Sequence, residues 1–400
     1  MDDATAMYLE DCAVAESTLG LCLEQLSAFA ARYAPYYQRR EHRELSELYL
    51  QGLLADVDRK SVEPIANFHG RARRGLQRFV GAGKWDDDRI RQEFRKHVAE
   101  ELGDPQGVLI IDPSTFVKRG RHSVGVARQY CGRLGKRENC QKGVYLSYSS
   151  PRGHTLVSSE LYLPEEWAKD STRRTKCHVP EELEFRTSWQ IADDWLLAHA
   201  HEFPHAWIVG DEELGKSGGF RKQLRRRKER YLLSIQGRRT IRVVNSRYPK
   251  GRKAGGHGRR RLPAFEQAQK WAEKLPLSAW KRVWVRDGEK GPIEVYALQR
   301  KVQTKSDNRI DAVEKLLVIR TIGPRPEYRF WLSNDQERTP LEELVRVAAE
   351  RHRIEEDFQR GKGEVGMADY EVRSWVGFRH HMTMVLLALF FLVLEKRRLG

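Results

Sequence analysis

From Leu9 to about Leu102, apolar residues recur every three or four positions between polar joints, as in Cys22, Leu26 and Phe29 and then Leu45, Leu48, Tyr49 and Leu53. That period is helical, and no run in the stretch alternates as a strand does, so it predicts a group of helices. Near Gly107 the pattern changes. Val108 to Ile111 is an unbroken run of β-formers, which predicts a strand buried on both faces that ends on Asp112, with Pro113 unable to donate a further ladder hydrogen bond. Lys142 to Ser149 and His154 to Leu163 alternate on either side of Ser150-Pro151-Arg152-Gly153, the pattern of a hairpin. Glu181 to His201 returns to helical spacing through Trp189, Ala192, Trp195 and Leu196, and Ala206 to Asp211 is a second apolar strand with an acid at its end. Strand, hairpin, helix and strand in this order predict an α/β layer.

Beyond Lys216 the apolar runs are short and set among cations: Tyr231 to Ile235, Arg282 to Val285, Ile293 to Leu298, Lys315 to Ile319 and Tyr328 to Leu332. They predict a β-rich insertion with a basic face. Thr339-Pro340-Leu341-Glu342 marks a helix start, with Thr339 as cap and Pro340 in the first position. In the helix that follows, Leu341, Leu344, Ala348, Arg351, Glu355, Phe358 and Lys362 share one face. Most of that face is apolar, so Glu355 is expected to point inward, where a carboxylate needs a cation. Met382 to Leu394 is strongly apolar but short for a membrane span, which predicts a buried core helix beginning at His380 and His381. The expected organisation is a helical DNA-binding part over residues 1–102, an α/β core over 103–215 and 336–400, and the basic insertion over 216–335.

Composition narrows the partners. The 400 residues carry 72 Lys and Arg against 56 Asp and Glu, a formal charge of +16 that favours a polyanion. Candidate phosphate contacts are Arg71 and Arg74, which share a helix face with Arg78, then Lys118, the run Arg225, Arg226 and Arg227, and Arg259 and Arg260 in a Gly-rich basic stretch. Five cysteines form no CxxC pair, so free thiols in a reducing cytoplasm are expected, and the acidic N-terminus shows no secretory pattern. Cys131, Cys140, Cys177 and His178 lack the close spacing of a structural zinc site.

Three acids, Asp112, Asp211 and Glu355, offer oxygen ligands from two strand ends and one helix. Such ligands suit Mg²⁺ or Mn²⁺, and a pair of these ions activates an attacking hydroxyl and stabilises the leaving oxygen in phosphodiester chemistry. Arg351 is placed to hold a phosphate or orient Glu355, and Lys362 to touch the DNA backbone. Gly210 to Ser217 also has the spacing of a nucleotide-binding P-loop, but it carries three consecutive acids where phosphates would lie, so nucleotide binding is not expected.

These features together resemble the DDE transposases of bacterial insertion sequences. The resemblance rests on RHRIEEDFQRGK, which carries Arg351, Glu355 and Lys362 of a Tyr, Arg, Glu, Lys helix signature, on GVARQYCGRLGKRENCQKGVYLSY and on YEVRSWVGFRHHMTM. Ala348 stands where the signature has Tyr, and DPSTF replaces the more usual double acid followed by Thr and Gly. The resemblance implies an RNase H-like core in which a mixed sheet is flanked by helices. It further implies two Mg²⁺ or Mn²⁺ ions on Asp112, Asp211 and Glu355, cleavage and strand transfer at terminal inverted repeats, and a homodimer bridging DNA ends, with no membrane and no nucleotide. Three alternatives stay open: a transposase-derived DNA-binding protein without chemistry, a structure-specific nuclease and, on the P-loop spacing alone, an ATPase.

Overall fold

The computed structural model describes residues 16–244, 263–288, 291–306, 309–335 and 339–399. The chain opens with helices α1 (Glu16–Tyr33), α2 (Arg40–Leu54), α3 (Val62–Phe68), α4 (Arg73–Ala82) and α5 (Asp87–Leu102). The Asp86 carboxylate accepts from the Arg89 amide and caps α5, and Asp87 and Asp88 fill the first turn, where the helix dipole favours negative charge. Strands β1 (Val108–Val117), β2 (Ala127–Cys131), β3 (Lys136–Ser150) and β4 (Gly153–Leu161) follow, then the short helices α6 (Glu165–Ala168) and α7 (Ser171–Lys176). Next come α8 (Ser188–His199), β5 (Trp207–Gly210), α9 (Glu212–Gly215), α10 (Gly218–Arg226), β6 (Tyr231–Ile235), β7 (Thr240–Val243), β8 (Glu266–Gln267) and α11 (Ala268–Glu273). Strands β9 (Lys281–Gly288), β10 (Gly291–Ser306), β11 (Arg309–Ile310), β12 (Glu314–Thr321) and β13 (Tyr328–Ser333) precede α12 (Leu341–Gly363) and α13 (Trp375–Leu399).

One mixed sheet runs β2-β3-β1-β5-β6-β13-β12-β10-β7-β8, with β4 on β3 and both β9 and β11 on β10. Only β1 with β5 and β5 with β6 pair in parallel; the other pairings are antiparallel. This is a mixed α/β fold with an RNase H-like core. The strands expected after Lys216 all form, and they extend the core sheet through the pairing of β13 with β6. Alternation lets them serve two cores. Leu317 and Trp331 face the main core, whereas their neighbours Leu316, Val318, Phe330 and Leu332 face a second one with Trp280, Ala268 and Ala272.

Three sequence expectations shift. Strand β1 does not stop at Asp112 but continues through Pro113 to Val117, paired with β3 throughout. Proline is tolerated there because β5 has already ended, leaving one side of β1 without a ladder. Helix α8 begins at Ser188, not near Glu181, because Thr187 and Gln190 form a capping box. Helix α12 begins one residue late, with Pro340 in the cap position. The last helix is longer than Met382 to Leu394. By length and composition it passes for a membrane span, yet 83% of its apolar window is buried in this protein. It packs on β4 and on α2, α4 and α5, fastening the N-terminal helices to the sheet.

Candidate active site

Parallel pairing of β1 and β5 sets Ile111 opposite Gly210, so the next residues, Asp112 and Asp211, stand side by side where the two strands part. Gly210 is closely enclosed at this point. A Cβ there would sit 2.7 Å from a Leu214 methyl and 2.9 Å from a Leu233 methyl, so a larger residue would force both side chains to shift. Asp211 caps α9, its Oδ1 accepting the Leu214 amide at 3.0 Å. That amide and its turn are thus satisfied by the chain itself, and the segment with P-loop spacing is a short capped helix.

Helix α12 supplies the opposing groups. Arg351 Nη2 lies 3.3 Å from Asp112 Oδ1, and its Nη1 lies 2.5 Å from Glu355 Oε1, so one guanidinium ties the first acid to the third. Lys362 donates to Ser114 Oγ at 2.9 Å, one strand position pair beyond Asp112. Lys142 holds Glu213 at 2.8 Å. Asp211, Ser114, Lys142, Glu213 and Lys362 line a cleft of about 360 Å³ together with Tyr162 and Tyr130, the latter 64% exposed.

Electrostatics set this cleft apart. Burial pushes the Asp112 carboxyl up to about 7, and the charges of Asp211 and Glu355 push the same way against the pull of Arg351. Asp211 is pushed up to about 6, again by burial first, with Glu213 adding and the Leu214 amide and Arg351 opposing. Burial alone would pull Arg351 down, but Asp112 and Glu355 outweigh it and hold the guanidinium above its ordinary value. The four carboxylates around the site, Asp112, Asp211, Glu213 and Glu355, outnumber its three cations, Arg351, Lys142 and Lys362.

Glu355 corrects an expectation. Its side chain is 47% exposed and paired with Arg351, and the buried acid of the helix is Asp357, two residues on. Asp357 accepts from Ser147 Oγ at 2.5 Å and lies 2.8 Å from His154 Nδ1, while His154 Nε2 is 3.1 Å from Glu356. The apolar count along α12 missed this because Glu355 is a half-exposed position in a row whose Ala348 and Phe358, on either side of it, are buried. Ser147, His154 and Asp357 have the composition of a hydrolase triad but not its order. The serine donates to the aspartate, and both are buried.

The predicted phosphate contacts are unequally placed. Arg71 and Arg74 do not share a helix face as expected, because α4 begins at Arg73 and leaves Arg71 before it; both are exposed, as is Arg226. Arg225 pairs with Glu314 at 3.2 Å and Arg227 with Asp193, so two of the three clustered arginines are engaged within the fold. Lys118 donates to the Tyr370 carbonyl at 2.9 Å. Arg259 and Arg260 lie outside the described residues. Cys22, Cys131, Cys140 and Cys177 are free thiols.

A sequence profile of the DDE superfamily endonucleases matches residues 32–292, more than half of the chain. The chain belongs to the DDE endonuclease superfamily. The matched span of this DDE protein includes Asp112 and Asp211 and stops before α12, so Glu355 enters the site on the geometry above and on the helix signature. The chain is also 33% identical over 121 residues to the "Probable transposase for insertion sequence element IS701" of Microchaete diplosiphon. That alignment covers 29% of this chain and spans 30% of the relative.

The oxygen-only donor set, buried and short of positive charge, fits a hard divalent cation. Among the described residues no three His, Cys, Asp or Glu side chains already surround one point. Arg351 is the cation that bridges Asp112 and Glu355 in this arrangement.

Proposed function

We propose that this DDE endonuclease is the transposase of an insertion sequence, binding the terminal inverted repeats of its element, cutting them and joining the ends to new DNA by a cut-and-paste route. The observation that carries this reading is the pair of under-neutralised acids, Asp112 and Asp211, side by side where β5 parts from β1, with Arg351 joining Asp112 to Glu355. Asp112, Asp211 and Glu355 would hold two Mg²⁺ or Mn²⁺ ions per site. When bound, the ions supply an activated hydroxyl and stabilise the leaving oxygen. The chain's own cations do the positioning. Arg351 keeps the carboxylates aligned, and Lys362, fixed on Ser114, presents charge to a phosphate beside Asp112. Double-stranded DNA is the partner, with a homodimer holding two ends, in the bacterial cytoplasm and on the nucleoid when bound.

The test is a plasmid carrying the element's ends, incubated with Mn²⁺ and the full chain. Wild-type protein nicks at the ends and joins them to target DNA. Cleavage that survives in Asp112→Ala, Asp211→Ala and Glu355→Ala alike would remove the site from the chemistry. One observation favours the second reading, a DNA binder without chemistry: Arg351 engages two of the three acids at once. That reading predicts shifted complexes and no nicks, and a structure-specific nuclease predicts cutting of branched DNA without joining.

A further inference from the structure

A second concave surface lies away from the acids. A cavity of about 1050 Å³ is walled by α3 and α4, by the loop that continues β1, and by the segment that leads into α13. Five cations from four stretches of chain line it: Arg59, Arg73, Lys118, Arg119 and Arg373. Its two carboxylates, Glu63 and Glu371, are each taken by one of them, Arg73 to Glu63 at 3.0 Å and Arg59 to Glu371 at 2.8 Å. Lys118, Arg119 and Arg373 remain as charge in excess. Arg119 and Arg373 are exposed, as a solvated basic surface would also have them. Lys118 is not of that kind. Its Nζ lies 3.4 Å from the Tyr370 ring centroid and donates to the Tyr370 carbonyl, so an ammonium is fixed in the wall of a concave site. Burial and then the nearby Arg59 pull that amine down to about 8, and a bound anion would relieve both.

The cavity is also tied to the acids by one rigid element. Lys118 follows the last residue of β1 and Asp112 lies within it, six residues earlier, a span of about 20 Å along a strand. At about 3.4 Å per nucleotide along one strand, 20 Å is about six base pairs. We propose that this cleft grips the phosphodiester backbone of the same DNA duplex that Asp112 and Asp211 act on, about six base pairs from the reacting phosphate. It contacts phosphate and not base edges, so it sets register and orientation without reading sequence. The inference rests on the DNA-cutting reading above.

The full chain with Arg119→Glu and Arg373→Glu combined tests it, against a 30-base-pair duplex carrying an element end, by fluorescence anisotropy across a salt series and by hydroxyl-radical footprinting. Both side chains are exposed, and circular dichroism checks that the fold is kept. The double variant is expected to bind at least about tenfold more weakly at low salt, with a log–log salt slope shallower by about two. Protection should be lost about six base pairs from the cleavage point, and Arg119→Lys with Arg373→Lys should restore it. Unchanged affinity, slope and footprint in a wild type that still nicks DNA would overturn the cleft and leave the catalytic reading standing. Weakened binding in a protein that never nicks under Mn²⁺ would support the cleft and sink the catalytic reading.

Discussion

Two regions of the same sheet hold buried acids, and the sheet treats them in opposite ways. On the insertion side Glu314, almost fully buried, meets Arg221 Nε at 3.0 Å, Arg225 at 3.2 Å and the Tyr231 hydroxyl. Asp335 beside it meets Lys315 at 2.6 Å and Arg230 at 3.4 Å. Burial pushes the Asp335 carboxyl up, but bonds from Lys315 and Thr339 outweigh it and hold the group below its ordinary value. Where β5 parts from β1, burial wins, and Asp112 and Asp211 are lifted to about 7 and about 6. The Asp335 side chain is covered at least as fully as that of Asp112, 1% exposed against 14%, so the bonds and cations around each acid set the direction of its shift. An acid given its counter-charges by the fold is a structural tie. One left short of them destabilises the metal-free protein and makes a place for a cation from outside.

Removing the acids themselves breaks this comparison most strongly. Asp112→Ala, Asp211→Ala and Glu355→Ala should each lower Mn²⁺-dependent strand cleavage by about a thousandfold, measured on end-carrying plasmid, with DNA binding retained. Glu314→Ala should do the reverse. It leaves Arg221 buried beside Asp311 alone and should cost about 3 kcal/mol in chemical denaturation, while cleavage per folded molecule stays near wild type.

The pH dependence sharpens the contrast further. A carboxyl raised on folding binds its proton more tightly in the folded chain than in the unfolded one. The metal-free protein therefore loses stability as pH rises from the ordinary carboxylate range through about 7, the value for Asp112. Asp112→Asn should flatten that decline and be more stable than wild type at pH 8, on the order of 2 kcal/mol by denaturant titration. The smallest effect belongs to an exposed pair. Glu294→Ala removes the partner of Arg282 on the sheet surface and should leave the denaturation midpoint where it was.

The acids were legible because their settings are local. Val108 to Ile111 and Trp207 to Gly210 are apolar runs followed by Asp, and the place of each acid follows from the run, although β1 itself continues to Val117. Arg351 and Glu355, four apart on a helix, were legible as partners by spacing, and they do meet. What the chain hid is long-range. Nothing near Tyr328 announces that β13 will pair with β6 and make the insertion part of the core sheet, and nothing near Pro113 reveals that β5 ends beside it. Counting apolar neighbours turned Glu355 inward, whereas its side chain is half-exposed although Leu344 and Phe358, before and after it on the same face, are buried. The tie of Asp357 to Ser147 and His154 depends on residues about 200 positions away, 210 and 203 along the chain, which no periodicity can supply. Among the basic residues, charge runs marked Arg225 and Arg227, which the fold pairs internally, and passed over Arg119 and Arg373, which are far apart in sequence and together in the cleft.

The central claim is that Asp112 and Asp211 form a cation site that the chain leaves unfilled. Calorimetric titration of the full protein with Mn²⁺ at pH 7, in two buffers of different ionisation enthalpy, tests it most directly. Wild type should bind Mn²⁺ and release protons as the raised carboxyls ionise, and Asp112→Asn and Asp211→Asn should each weaken binding by at least about tenfold. Isotherms that are the same for wild type and both variants, with no proton release, would contradict it.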